Sequence, residues 1–133
     1  AIDADHSGVL LVGRCEAFLW GIPDLKLTID RLLAYADAGA DCLYAPGLKS
    51  KDDIAAAVKA VHPKPFNLLI GWPGLSVAEA ADLGVRRISV GGALARVAWS
   101  GFLGAARQIA EKGTFDGLGA GYPAGQLNAM FSG

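Results

Sequence analysis

The sequence predicts an α/β protein built on a parallel sheet, half of a (β/α)8 barrel of the TIM type. Three observations carry this reading. Four strand-helix units follow one another at a spacing of roughly 20 to 30 residues, which implies parallel strands joined by right-handed crossovers. Two helix-to-strand joints match in kind, Ala38-Gly39-Ala40-Asp41-Cys42-Leu43 and Leu83-Gly84-Val85-Arg86-Arg87-Ile88. The first strand opens on an unbroken apolar run, Val9-Leu10-Leu11-Val12, the mark of a strand covered on both faces. A full barrel takes eight units and about 250 residues. The 133 residues of this chain hold four. A small open sheet of flavodoxin type, complete at this length, is the competing architecture.

The elements follow in order. Residues 1–7 read as the end of a helix or a connection, closed by Gly8. Strand one is Val9 to Ala17, and Phe18 to Pro23 is a loop. Asp24 can cap a helix whose apolar face is Leu25, Ile29, Leu32, Leu33 and Ala36, ended by Gly39. Strand two is Cys42 to Ala45, closed by Pro46-Gly47. Ser50 and Asp53 start the next helix, with Ile54, Val58 and Val61 inward, and His62-Pro63 and Pro65 end it. Strand three is Phe66 to Ile70, followed by Gly71-Trp72-Pro73-Gly74. Ser76 and Glu79 form a capping box for Val77 to Leu83. Strand four is Arg87 to Val90, followed by Gly91-Gly92. A long helix, Ala93 to Lys112, turns Leu94, Ala98, Phe102, Ala105 and Ile109 inward and stops at Gly113. The tail 114–133 is glycine-rich and ends in a short helix from Pro123 with Leu127 and Met130.

Composition narrows the function classes. The chain is 53% hydrophobic with a net charge of −1, enough for a sizeable core. Its longest basic block is Arg86-Arg87, so neither nucleic acid nor an anionic membrane is an expected partner. No apolar run approaches the ~20 residues of a spanning helix, and the first residues have no signal-peptide pattern. Cys15 and Cys42 fall in buried strands and read as reduced packing residues of a cytoplasmic protein.

Two places carry candidate chemistry on physical grounds. Arg14 and Glu16 are two apart at the end of strand one, so they project to one side, at the carboxyl end where a barrel has its mouth. A guanidinium there can hold a carboxylate or phosphonyl group bidentately, or it can simply pair with Glu16. Gly91 and Gly92 precede a long helix, where open backbone N–H groups make an anion site, although a tight turn also explains them. Asp3, Asp5 and His6 read as a solvated helix end, and His62 as a helix terminus. Trp20, Trp72 and Trp99 read as packing or interface residues, with Trp72 also near a pocket.

Gly13-Arg14-Cys15-Glu16-Ala17-Phe18-Leu19 resembles the Ala-Arg-Thr-Asp-Ala strand of the isocitrate lyase/phosphoenolpyruvate phosphonomutase superfamily. Ala34 to Leu43, Phe66-Asn67-Leu68-Leu69, Arg87 to Leu94 and Gly113-Thr114-Phe115 continue the resemblance in order, nearest to the phosphonomutase-like branch. The resemblance implies a modified barrel of which residues 1–113 are strands five to eight, followed by a tail, 114–133, whose helix is exchanged between subunits. It implies substrate contacts by Arg14, Glu16, Asn67, Gly91 and Gly92. Glu16 stands where the family has Asp; it would orient Arg14 or touch the metal's water shell. Asn67 matches an asparagine that contacts substrate carboxylates in the lyase branch. Tyr44-Ala45-Pro46 lacks the lyases' glutamate, which argues against isocitrate-type cleavage.

The implied parent is a Mg²⁺-dependent enzyme that cleaves or rearranges a C–C or P–C bond of a small 2-oxo or phosphono acid through an enolate-type intermediate. Mg²⁺ and Arg14 would stabilise the developing charge. Its metal ligands, catalytic groups and mobile loop would lie on the earlier strands, so this chain alone should be inactive. Its expected partners are a small anion and either further copies of itself or a complementing N-terminal half. A non-catalytic half-barrel that serves assembly, and a stand-alone flavodoxin-like anion-binding domain, are the alternatives.

Overall fold

The computed structural model describes residues 8–132; the helix end expected at 1–7, with Asp3, Asp5 and His6, lies outside them. The chain forms two compact units, Ala1–Gly91 and Gly92–Gly133.

The first unit alternates strands and helices: β1 (Val12–Arg14), α1 (Leu25–Asp37), β2 (Cys42–Tyr44), α2 (Lys51–Val61), β3 (Phe66–Leu69), α3 (Val77–Asp82) and β4 (Arg87–Ser89). A 3-10 turn, Ala17–Trp20, follows β1. All pairings are parallel and the sheet order is β1-β2-β3-β4. Each strand therefore lies beside its neighbour in sequence, as in a barrel. A flavodoxin-type sheet reverses its strand order at a switch point, so that alternative is excluded.

Register partners share a face of the sheet. Gly13 pairs with Leu43, Leu43 with Phe66, and Leu68 with Ile88. This face meets the helices: Leu43 and Leu68 are 0% exposed, and they cluster with Leu32, Ile54, Ala57 and Val61. Gly13 permits the close approach of α1, because a Cβ there would sit 2.7 Å from Tyr35 Cβ. The opposite face carries Arg14, Tyr44, Asn67 and Arg87 in one row. In a barrel this is the interior face.

Strand one is shorter than the expected Val9 to Ala17. Val9 and Leu10 are 78% and 75% exposed. The physical reason is that β1 has one neighbour, β2, among the described residues, so its apolar start is not covered on both sides. Its lower end is still tied, since Leu11 N donates to Asp41 Oδ2 at 2.8 Å and Asp41 N returns a bond to Leu11 O at 2.8 Å. After Cys15 the chain turns into the 3-10 segment. On α1, Leu33 is 39% exposed and Thr28 is buried in its place, its hydroxyl satisfied by Asp24 O at 2.8 Å.

The expected caps are present. Asp24 accepts from Leu27 N, and Ser50 from Asp53 N. Ser76 and Glu79 form the full reciprocal box, at 3.1 and 2.8 Å. The other Glu79 oxygen takes Lys51 Nζ at 2.6 Å, which links the starts of α2 and α3. The Lys51 ammonium, with the Ser76 bonds behind it, holds the Glu79 carboxyl at about 2 instead of 4.5. This pair stabilises the fold fully above the unfolded value of 4.5 and is lost as pH falls toward 2. Glu79→Gln should flatten that part of the acid-unfolding curve; an unchanged curve between pH 5 and about 2 would refute the link.

The second unit holds α4 (Ala93–Lys112), a 3-10 segment (Asp116–Ala120) and α5 (Ala124–Phe131). Gly113, at φ 66°, ends α4 as expected. The segment docks back through Gly117 N, which donates to Gln108 Oε1 at 2.6 Å. Leu94, Ala98, Phe102, Ala105 and Ile109 do share one face, but they line an open groove of about 820 Å³ and are not inward. Leu94 is 71% exposed and α4 has no buried residue. The helical period places these residues together; within this unit the 3-10 segment packs on α4, with its Gly117 and Leu118, and Tyr122 just beyond the segment, lining the groove. Among the described residues no helix is long and apolar enough to cross a membrane.

Candidate anion-binding site on the strand ends

Arg14 is the last residue of β1, where strand alternation turns it to the interior face. Its Nε lies 2.7 Å from Glu16 Oε1, and the two side chains are 46% and 40% exposed. Glu16 starts the 3-10 turn, and Trp20, four residues on, donates from Nε1 to Glu16 Oε2 at 2.8 Å. The Arg14 guanidinium stacks over its register partner Tyr44, 5.0 Å from the ring centre. The sequence pairing of Arg14 with Glu16 is thus met in space. The structure adds Tyr44 and Trp20.

Asn67 lies two residues before the end of β3 and is 0% exposed. Its Nδ2 donates to Ser89 Oγ at 3.0 Å, while Oδ1 has no partner among the described residues. An orphaned buried oxygen costs about 1–3 kcal/mol, so it calls for an explanation. Arg87, the register partner of Asn67, is exposed at the start of β4. Cys42, two residues before Tyr44, shares the interior face with Arg87; burial pushes its thiol up, and the nearby Arg87 guanidinium pulls against it.

Gly91 has φ 52°, and a Cβ there would touch Leu69 Cδ1 at 3.3 Å, so a tight turn accounts for it. Gly92 caps α4 with no side-chain bond, and no acidic residue follows in the first turn. A Cβ on Gly92 would lie 3.5 Å from Arg96 Nη1. Trp72 is half-buried in the loop after β3, with Lys49 Nζ 6.0 Å from its ring. His62 is an exposed C-cap, and both cysteines are free and buried. No group of three or more His, Cys, Asp or Glu that could hold a metal occurs among the described residues.

Sequence reasoning missed Tyr44, Ser89, Arg87 and the polar role of Trp20. Period two was the available signal for three of them. Tyr44 follows Cys42 by two and Ser89 follows Arg87 by two, so each pair shares a face. The register that aligns those faces was not written in any one strand.

Parallel strands in sequential order, with helices on the outer face, define an α/β protein of TIM-barrel type. The family model for phosphoenolpyruvate phosphomutase matches residues 1–110, and the chain belongs to that family. A candidate lyase/mutase from Burkholderia cenocepacia J2315 is 50% identical with a TM-score of 0.86, over 92% of this chain and 45% of that one. Oxaloacetate acetylhydrolase, solved with its product oxalate, is 29% identical with a TM-score of 0.70, over 87% of this chain and 39% of that one. The fold of 2,3-dimethylmalate lyase, a member of the PEP mutase/isocitrate lyase superfamily, also matches, with a TM-score of 0.75 at 22% identity. An uncharacterised protein of Mycobacterium tuberculosis is 41% identical over 68 residues. The chain spans 26% of that relative's length and less than half of each of these structures.

Proposed function

We propose that this chain supplies the anion-holding side of the active site of a phosphonomutase/lyase-like enzyme. The enzyme acts on a small 2-oxo or phosphono acid and cleaves or rearranges a C–C or P–C bond. The observation that carries the reading is the Arg14 guanidinium, set at a strand end, stacked on Tyr44 and steadied by Glu16. Its Nε edge faces Glu16, so the outer fork of two Nη groups meets the carboxylate or phosphonyl group. The Asn67 amide, fully buried and half-satisfied, takes a second polar group of the substrate, with Ser89 holding it in place.

Mg²⁺ belongs to this reading of the complete enzyme, where it would polarise the substrate oxygens. The described residues provide no ligand set for it, so no step is assigned to it in this chain. The general acid and base likewise lie outside Arg14, Glu16 and Asn67. Two reduced, buried cysteines fit a cytoplasmic setting. Self-association or a complementing half is part of the proposal, because β1 and β4 each have one strand neighbour among the described residues. Leu127, Met130 and Phe131 of α5, 44%, 65% and 82% exposed, suit an exchanged helix.

The test titrates the purified chain with oxalate and assays oxaloacetate, phosphonopyruvate and methylisocitrate with Mg²⁺. Oxalate should bind without turnover, and light scattering should give a mass above the monomer. Turnover above background would overturn the placing of the catalytic groups elsewhere. Absence of oxalate binding at millimolar concentration would overturn the site, and a stable monomer would overturn the assembly.

A further inference from the structure

We propose that Trp20 is a positioning residue for Arg14, acting through Glu16. The inference rests on the reading of Arg14 as the anion ligand. The two oxygens of Glu16 are divided between two partners: Oε1 lies 2.7 Å from Arg14 Nε, and Oε2 accepts from Trp20 Nε1 at 2.8 Å. Trp20 is 76% exposed, so burial does not explain where its ring sits. The hydrogen bond does.

The turn that carries Trp20 is well fixed. Leu19 N and Trp20 N donate to Glu16 O at 2.9 and 3.2 Å, and Ile22 N to Ala17 O at 3.0 Å. The loop after β2 is pressed against it: a Cβ on Gly47, at φ +100°, would lie 2.8 Å from Phe18 Cβ and 3.1 Å from Phe18 C. A half-exposed ion pair by itself holds its geometry weakly, because both side chains give up rotamer freedom to form it. An indole N–H on the second oxygen removes the freedom of the carboxylate in advance. The Tyr44 ring lies under the guanidinium, its centre 5.0 Å from Arg14 Cζ, and supports that face. Arg14 is thereby held along its edge and its face, and its outer fork is preorganised for a planar carboxylate.

Trp20→Phe keeps the ring and deletes the donor. Calorimetric titration with oxalate should show binding weakened about three- to tenfold, with the unfolding midpoint unchanged. In a Glu16→Ala background the same substitution should change nothing further, since the route runs through Glu16. A loss of equal size in that background, or no loss in the wild-type background, overturns the proposal. A ligand-free measurement stands beside it: the Arg14 Nε–H resonance should be sharp and slow to exchange in the wild type and broadened in Trp20→Phe. An unchanged resonance overturns the brace. Arg14→Gln separates the two ideas. Unchanged oxalate affinity in that variant refutes Arg14 as the anion ligand, and the resonance then decides the brace alone.

Discussion

Arg14→Gln is expected to weaken oxalate binding by about 1.5–3 kcal/mol, or roughly 10- to 150-fold. Glutamine keeps a polar amide but loses the charge, the fork and about two bonds of reach. The expected loss is that of hydrogen bonds to a charged group, not of a fully buried ion pair, because the side chain is 46% exposed and solvent screens it. Arg14→Lys should recover only part of the affinity. A lysine can pair with Glu16 or meet the ligand, but it has no planar group to do both while stacking on Tyr44. Calorimetric titration of both variants checks this. Lysine at full wild-type affinity would show that charge alone matters and that the stacked, paired geometry is incidental.

The parts of the site that depend on one strand were legible in the sequence; the parts that depend on the sheet were not. Arg14 and Glu16 are two apart in sequence, and although Glu16 lies beyond the strand, at the start of the 3-10 turn, the short spacing still brings them to 2.7 Å. The Ser76-Glu79 box and the stops at Gly39, Gly84 and Gly113 are equally local, and each lies where expected. Tyr44 escaped notice because only the pairing of Arg14 with Tyr44 puts its ring beneath the guanidinium. Ser89 needed the β3-β4 register before it could be seen as the partner of Asn67. Apolar runs misled for a related reason. Val9, Leu10 and the α4 stripe carry the right pattern for burial, but a pattern states a preference for cover and not that cover exists. Trp20 misled differently: its large apolar ring suggests packing, and its position is set by one N–H.

Phe66→Ala should be the most damaging single substitution to the first unit, at about 3–5 kcal/mol. Typical domains have a net stability of about 5–15 kcal/mol, so most or all of it would go. Phe66 is 1% exposed and opens β3 on the helix-facing side, in register with Leu43, itself 0% exposed. It sits in the middle of the sheet's pairing: Pro65 O accepts from Leu43 N at 2.9 Å, and Phe66 O from Arg86 N at 3.2 Å. The cavity left by the ring could close only by moving a strand hydrogen-bonded on both edges. Leu94→Ala, at a residue 71% exposed on α4, should by contrast stay within about 0.5 kcal/mol of wild type. Denaturant unfolding distinguishes the two, and equal effects would refute this account of where the core lies. The damage should also reach the ligand. Asn67 follows Phe66 on the same strand and faces the other way, held between two core residues, Phe66 and Leu68. If the helix-side packing sets the height of β3, then Phe66→Leu, which preserves most of the fold, should weaken oxalate binding more than its loss of stability explains. Oxalate affinity equal to wild type in folded Phe66→Leu would show that the two faces of β3 are independent.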